Sequence, residues 1–358
     1  MTRYLLAGGG TAGHVSPLLA VADRIRERDP GATILVLGTD EGLEARLVPQ
    51  RGHELRTIPR VPFPRRPDLG AARFPARFRR AVALTRELLR EQRIDLLIGF
   101  GGYVSAPAYA AARRERVPYT VHEANARPGL ANVWGARRAA GVGVVFHGTP
   151  LRGAETVGMP LRAEIASLDR GARRTEAARF FGLDAERPVL LVFGGSTGAR
   201  RINDAFAASW RTIAGAGWQI LHVTGEQKIG DVGASSADGR AVVPYVDRMD
   251  LAYALADLVV CRSGAATVSE VGALGIPAVY VPYAVGNGEQ ALNARASVDA
   301  GGAVLLPDAE LTPESVAERI VPILRDPERL RRMGEVAAGL GVRDGTDRLL
   351  ALAERSLA

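Results

Sequence analysis

Glycine set between a strand and a helix restricts this chain more than any other pattern, and it occurs twice. Leu5-Leu6-Ala7-Gly8-Gly9-Gly10-Thr11-Ala12-Gly13-His14 and Leu190-Leu191-Val192-Phe193-Gly194-Gly195-Ser196-Thr197-Gly198-Ala199 both run from apolar residues into a glycine turn carrying a hydroxyl. Such a turn bends where a Cβ would block it and exposes N–H groups at the start of the following helix. Gly10 and Gly195 stand 185 residues apart, about the length of one α/β domain. Two similar domains in tandem are therefore expected. The copies differ chemically at one place: His14 closes the first turn, where Ala199 closes the second.

At 358 residues, 47% of them hydrophobic, the chain can fill two cores. No stretch approaches the roughly 20 apolar residues of a membrane-spanning helix, and the N-terminus enters a strand without a basic and apolar leader, so an intracellular protein is expected. Cys261, the single cysteine, lies in the apolar run Leu258-Val259-Val260-Cys261, which excludes a disulfide framework or a cysteine metal site. All but one of the 46 basic residues are arginine. A lysine Schiff base would thus have Lys228 as its sole candidate, beside Gly225-Glu226-Gln227. The net charge of +7 favours acidic partners such as nucleotides, diphosphates or an anionic membrane surface.

Short aliphatic runs alternate with helical patterns, which implies parallel strands with helical crossovers. Strands are expected at Thr33–Leu37, Asp95–Ile98, Tyr119–His122 and Val142–Val145, then at Val189–Phe193, Gln219–Val223, Leu258–Cys261 and Ala278–Val281. Pro17–Arg28 reads as the first helix, with Leu18, Val21, Ala22 and Ile25 at helical spacing. Val157-Gly158-Met159-Pro160-Leu161-Arg162 has the punctuation of an interdomain crossing. The expected division is a domain over 1–162, a second over 163–340, and a terminal segment 341–358 whose helix, Arg343–Ser356, packs back on the first. Doubly wound sheets bind ligands at the carboxyl ends of their strands, so both glycine loops are expected to face one cleft.

Gly8-Gly9-Gly10-Thr11-Ala12-Gly13 fits the dinucleotide fingerprint, and Asp40 follows the second strand where a ribose-binding acid would stand. A nicotinamide-dependent oxidoreductase is one reading of these residues, but it explains neither His14 nor the second copy. A neutral imidazole at a helix start can take a proton from a substrate hydroxyl, and the helix N-terminus disfavours the imidazolium. A structural histidine is the alternative. His122-Glu123-Ala124-Asn125 follows another strand, with Asn125 suited to sugar hydroxyls and His122 or Glu123 orienting the loop. Gly99-Phe100-Gly101-Gly102-Tyr103-Val104-Ser105 is a further glycine turn, suited to a second phosphate-bearing substrate or to tight packing alone.

In Cys261-Arg262-Ser263-Gly264-Ala265-Ala266-Thr267-Val268-Ser269-Glu270 a strand ends in small residues and a helix begins, so N–H groups can hold phosphate while Glu270 accepts from ribose hydroxyls. Gly286-Asn287-Gly288-Glu289-Gln290-Ala291-Leu292-Asn293 is a polar loop opening a helix, with amides for sugar hydroxyls. There is no Asp-x-Asp triplet and no histidine cluster at metal-ligand spacing. No metal and no cofactor are expected, and leaving-group charge falls to helix N-termini and arginine. Arg60 to Arg93 holds ten arginines against Asp68, Glu87 and Glu91, interleaved with Phe63, Phe74 and Phe78. Such a stretch reads either as a surface resting on anionic lipid or as a solvated basic helix, and no nucleic-acid module accompanies it.

Taken together, Gly-Gly-Thr-x-Gly-His, His-Glu-x-Asn, Gly-Gly-Ser-x-Gly-Ala, Cys-Arg-Ser-Gly-Ala-x-Thr-Val-Ser-Glu and Glu-Gln-x-x-Asn-Ala resemble the MurG family of glycosyltransferases, family 28, over Arg3 to Arg348. The resemblance implies an α/β chain of GT-B fold: two Rossmann-like doubly wound parallel-sheet domains facing a cleft, acceptor in the first and UDP-N-acetylglucosamine mainly in the second. It implies an inverting N-acetylglucosaminyltransferase of peptidoglycan synthesis whose acceptor is an undecaprenyl-diphosphate-linked muramyl-pentapeptide. It further implies a peripheral protein on the cytoplasmic face of the bacterial plasma membrane. Carried over by position, His14 is the catalytic base and the donor contacts are Thr11, Ala12, Gly13, Asn125, Arg162, Ser196, Val246, Ala265, Ala266, Thr267, Val268, Ser269, Glu270 and Gln290. Val246 would offer backbone groups to uracil, Glu270 would hold ribose, Ser196 and Arg162 would meet the diphosphate, and Asn125 and Gln290 would read the sugar. Ala12, Ala124, Met159, Thr197 and Glu289 depart from the commoner pattern, Ala124 and Glu289 by removing amides. A UDP-sugar 2-epimerase, another GT-B transferase and a non-catalytic nucleotide-sugar binder share enough of these features to stand as alternatives.

Overall fold

Leu5, Leu6 and Ala7 have no solvent exposure, although a strand points successive side chains to opposite faces. Leu5 and Ala7 join one apolar cluster and Tyr4 and Leu6 another, so this strand must be covered on both sides. The computed structural model describes residues 1–64, 69–195, 199–225, 239–283 and 288–357, and it divides into two units, Met1–Ala163 with Arg343–Ala358, and Glu164–Val342.

In the first unit β1 (Arg3–Gly8), β2 (Thr33–Gly38), β3 (Glu54–Thr57), β4 (Leu96–Gly101), β5 (Tyr119–Glu123), β6 (Gly141–Val144) and β7 (Ala154–Thr156) form one parallel sheet in the order β3-β2-β1-β4-β5-β6-β7. Its crossovers include α1 (Ala12–Arg28), α2 (Leu43–Gln50), α3 (Leu69–Glu91), α4 (Ser105–Glu115) and α5 (Leu130–Ala136). The strand order reverses between β1 and β4, where doubly wound sheets bind their ligands. The register between these strands shifts at Ala7/Gly8, which sets Gly8 opposite Gly101. Two glycine turns thus leave the sheet side by side.

α1 begins at Ala12, five residues before the Pro17 start that the sequence suggests. Thr11 has extended backbone and its carbonyl accepts from the N–H groups of His14 and Val15, which opens the helix within the glycine turn. Pro17 sits inside the helix, where its missing N–H leaves only the Gly13 carbonyl without its helical donor. The helix Gly345–Glu354 returns to this unit: Leu349, Leu350, Leu352 and Ala353 are buried with Leu18, Val21 and Ala22 of α1.

The second unit repeats the plan. β8 (Val189–Phe193), β9 (Gln219–Val223), β10 (Arg240–Val243), β11 (Leu258–Cys261), β12 (Ala278–Tyr280) and β13 (Ala303–Leu305) are parallel in the order β10-β9-β8-β11-β12-β13. α6 (Ala163–Ala166) spans the crossing between units, followed by α7 (Arg170–Phe181), α8 (Arg200–Gly215), α9 (Met249–Leu255), α10 (Ala265–Ala273) and α11 (Glu289–Asp299). Leu190, Val192, Ile202, Phe206, Ile213, Val260 and Ile320 centre the core on one face of the sheet. Its reversal lies between β8 and β11, the strands that carry Gly194-Gly195 and Arg262-Ser263-Gly264.

Candidate active site

Gly10 has φ +88° and Gly195 φ +93°, and a Cβ at either would meet nothing within 4 Å. Glycine is thus required at both for its left-handed backbone, not for space. The two loops share this geometry at equivalent places, as their sequences suggest. Thr11 is exposed, and Ala12, Gly13 and His14 form the first turn of α1. The His14 Nδ1 atom lies 3.1 Å from the Gly9 carbonyl oxygen and 3.2 Å from the Thr11 hydroxyl. A carbonyl only accepts, so Nδ1 carries the proton and Nε2 presents a lone pair. Across the ring lies Gly101, whose Cβ would come within 3.0 Å of Nε2 and Cδ2. The absent side chain leaves the basic nitrogen room.

A buried acid that the sequence reading missed supports this loop. Glu44 accepts from the Gly10 N–H (2.8 Å), the Thr39 N–H (3.0 Å) and the Thr39 hydroxyl (2.8 Å). Burial alone would push its carboxyl up, but these donors, led by Gly10, outweigh it and hold the group below the usual range. Asp40, the acid expected to bind ribose, is exposed. The carboxylate beneath Gly10 also occupies an N–H that a dinucleotide phosphate would want, which weighs against the nicotinamide reading. The available signal was indirect: Gly9, Gly38 and Gly42 each lack a Cβ that would lie within 2.6 Å of Glu44. Beside the loop, Arg60 lies 4.7 Å over the Tyr103 ring and 3.9 Å from Glu41, at a cavity of about 90 Å³ lined also by Gly9 and Gly10.

At the end of β5, Glu123 is the organiser. Its carboxylate accepts from the N–H groups of Asn125 and Gly129 (both 2.9 Å) and from the Asn132 amide (2.9 Å). The Tyr109 hydroxyl donates to the Asn132 carbonyl oxygen at 2.9 Å, which fixes that amide's orientation. Asn125 is half-buried, with its amide 3.5 Å from Glu123. His122 is fully buried against Phe100, and burial pushes its pKa down to about 4, so it is a neutral packing residue. Arg162 is half-buried at the end of the first unit, just before α6.

In the second unit β11 delivers Ser263 and Gly264 to the start of α10. Ala265 and Val268 are buried, so at these positions only the backbone is open to a ligand, and the Val268 N–H already bonds to the Gly264 carbonyl. The Ser269 hydroxyl donates back to the Ala265 carbonyl (2.8 Å), while Ala266 and Thr267 are half-exposed. Glu270 accepts from the Tyr253 hydroxyl at 2.9 Å, which orients its carboxylate. The Gln290 side-chain carbonyl accepts from the Tyr283 N–H (2.8 Å), and Asn293 donates to the Ser263 carbonyl (3.3 Å), tying the start of α11 to the β11 turn. Val246 buries its side chain in the loop after β10. Ser196, Thr197, Gly198, Lys228, Gly286 and Asn287 lie outside the described residues.

The basic stretch has two parts. Arg86 and Arg90 of α3 pair with Glu115 of α4, and these bonds hold the Glu115 carboxyl down at about 2. Arg73, Arg77, Arg79 and Arg80 are exposed around Phe74 and Phe78, whose rings stack at 5.7 Å with Phe63 next in line at 5.5 Å. Among the described residues no helix is long and apolar enough to cross a membrane.

The N-terminal domain of glycosyltransferase family 28 matches residues 4–144, and the C-terminal domain of the same family matches 189–349. The chain belongs to glycosyltransferase family 28. Its relatives include the UDP-N-acetylglucosamine–N-acetylmuramyl-(pentapeptide) pyrophosphoryl-undecaprenol N-acetylglucosamine transferases of Clavibacter michiganensis, 58% identical with 100% of this chain and 97% of that one covered, and of Leifsonia xyli, 57% identical with 100% and 99% covered. The crystal structure of MurG from Acinetobacter baumannii superposes with a TM-score of 0.82 at 28% identity, covering 99% of this chain and all of that one. The two parallel sheets are thus those of a family-28 enzyme of GT-B fold, as the motifs imply.

Proposed function

We propose that this chain transfers N-acetylglucosamine from UDP-N-acetylglucosamine to the N-acetylmuramyl-pentapeptide carried on undecaprenyl diphosphate, converting lipid I to lipid II. The observation that carries the chemistry is the His14 Nδ1 contact to the Gly9 carbonyl, which leaves Nε2 as the acceptor. Relatives of that name, 58% and 57% identical over the whole chain, support the choice of substrates.

In a single displacement the acceptor's sugar hydroxyl gives its proton to His14 Nε2, its oxygen bonds to the anomeric carbon, and the bond from that carbon to UDP breaks with inversion. The departing diphosphate meets N–H groups at the starts of α8 and α10, with Ser196 and Arg162, while Glu270, oriented by the Tyr253 hydroxyl, holds ribose. Val246 serves uracil by its backbone, and Asn125 and Gln290 read the sugar. The first unit takes the acceptor. α3, with four exposed arginines around a row of phenylalanines, rests on the anionic cytoplasmic face of the plasma membrane and makes the protein peripheral there. Cell-wall synthesis, and with it cell shape and division, is the process served.

His14→Ala is expected to lower kcat by about 10²- to 10⁴-fold while calorimetric affinity for UDP-N-acetylglucosamine stays within about twofold. Unchanged turnover in that variant would refute the assignment of the base. UDP release from the wild-type protein should require the lipid acceptor. Release or epimerised UDP-sugar without acceptor would favour an epimerase, and binding of NADH in place of the UDP-sugar would favour the oxidoreductase reading.

A further inference from the structure

The Gly10 N–H and the Gly9 carbonyl belong to one peptide group. Glu44 Oε2 accepts from its N–H end at 2.8 Å, and His14 Nδ1 lies against its carbonyl end at 3.1 Å. We propose that Glu44 is a positioning residue for transfer, acting on His14 through the Gly9–Gly10 peptide. A carboxylate drawing on the N–H polarises the peptide and strengthens its carbonyl as an acceptor. The carbonyl then holds the Nδ1–H tautomer and leaves Nε2 unprotonated as a base. The arrangement does what a carboxylate directly on an imidazole does in other proton-transfer sites, with one peptide between them. It rests on the reading of His14 as the base.

The surroundings are built around this contact. Glu44 is fully buried, its Oε1 is fixed by the Thr39 N–H and hydroxyl, and its Oε2 accepts from Gly10. A Cβ on Gly9 would come within 2.3 Å of Glu44 Oε1 and one on Gly42 within 2.1 Å of Oε2, so both glycines make way for the acid. A Cβ on Gly102 would lie 2.4 Å from the Gly9 carbonyl oxygen, so the far end of the relay is enclosed as well. The buried carboxylate is thus held at both oxygens, between Thr39 and Gly10.

Glutamine at this position has one acceptor oxygen and cannot serve both Thr39 and Gly10. Glu44→Gln should remain folded with KM for UDP-N-acetylglucosamine within about twofold, lower kcat by about tenfold or more, and lose the Nδ1–H preference of His14 in imidazole ¹⁵N spectra, where His14→Ala assigns the signal. In the wild-type protein the same spectra should show the Nδ1–H tautomer, and the Gly10 amide proton should lie downfield, as expected for a charged acceptor. A wild-type Nε2–H tautomer overturns the proposal even if Glu44→Gln fails to fold. So does a folded Glu44→Gln protein with unchanged kcat, an unchanged tautomer, or a loss confined to KM. If His14→Ala turns over normally, the base itself is wrong and the relay has no catalytic use. If His14→Ala is inactive while Glu44→Gln is fully active, the relay alone fails.

Discussion

Gly10 and Gly102 are both held at positive φ, +88° and +82°, yet their replacement should fail in different ways. A methyl group on Gly10 meets nothing within 4 Å, so Gly10→Ala should cost about 1–2 kcal/mol of left-handed strain, read as a lowered urea midpoint, while turnover largely survives. A methyl group on Gly102 meets the Gly9 carbonyl oxygen at 2.4 Å, and that oxygen is the partner of His14. Gly102→Ala should therefore lower kcat at least tenfold beyond its effect on stability, since a small displacement of a catalytic contact is costly. Equal loss of activity in the two variants would show that strain, not the carbonyl, matters. The Gly8–Gly13 turn and the place of His14 at its end were legible because their signal is local. Glu44 was not, because Asp40 stands nearer in sequence to the expected ribose position and only the fold shows which of the two acids is buried.

At the scale of elements, the interior strands β8 and β11 run over the residues that their apolar runs suggest, since burial on both faces writes a continuous hydrophobic signal. β3, β7, β10 and β13 were not expected. They are the short outermost strands of the two sheets, and Glu54-Leu55-Arg56-Thr57 and Ala154-Glu155-Thr156 carry largely exposed side chains with no apolar run to mark them. α3 combines two roles that one arginine-rich sequence cannot separate: Arg86 and Arg90 serve Glu115, while Arg73, Arg77, Arg79 and Arg80 face outward. Charge reversal by Arg73→Glu, Arg77→Glu and Arg80→Glu together should weaken cosedimentation with phosphatidylglycerol vesicles by at least tenfold, given about 1 kcal/mol per basic residue near an anionic surface. Binding equal to wild type would remove α3 from the membrane contact. On α4, Tyr109→Phe deletes the donor that orients the Asn132 amide toward Glu123 and should cost about 1–3 kcal/mol of unfolding free energy. A change below 0.5 kcal/mol would show that the amide holds its place without the hydroxyl.

For the molecule as a whole, each unit contains a buried neutral histidine. His122 and His222 are both pushed down to about 4 by burial, and His222 is further fixed by donating to Asn203 at 3.2 Å. The unfolded chain protonates these rings near pH 6.5 and the folded one near 4, so their contribution is complete above 6.5 and is lost as pH falls through that window. Each should account for up to about 3 kcal/mol, visible as urea midpoints that drop between pH 7 and 4.5. His222→Asn should flatten that drop in the second unit, and an unaltered slope would mean that other groups control it. Paired carboxylates such as Asp250, held below their usual range, act in the same direction only at more acid pH. The return of Gly345–Glu354 to α1 has a different consequence, one of timing. The first unit is discontinuous in sequence, so a ribosome must deliver all of the second before Leu349, Leu350 and Leu352 can cover the apolar face of α1. Until then the nascent first unit carries an uncovered hydrophobic groove, and chaperone occupancy on stalled chains should end only when residues beyond 352 emerge.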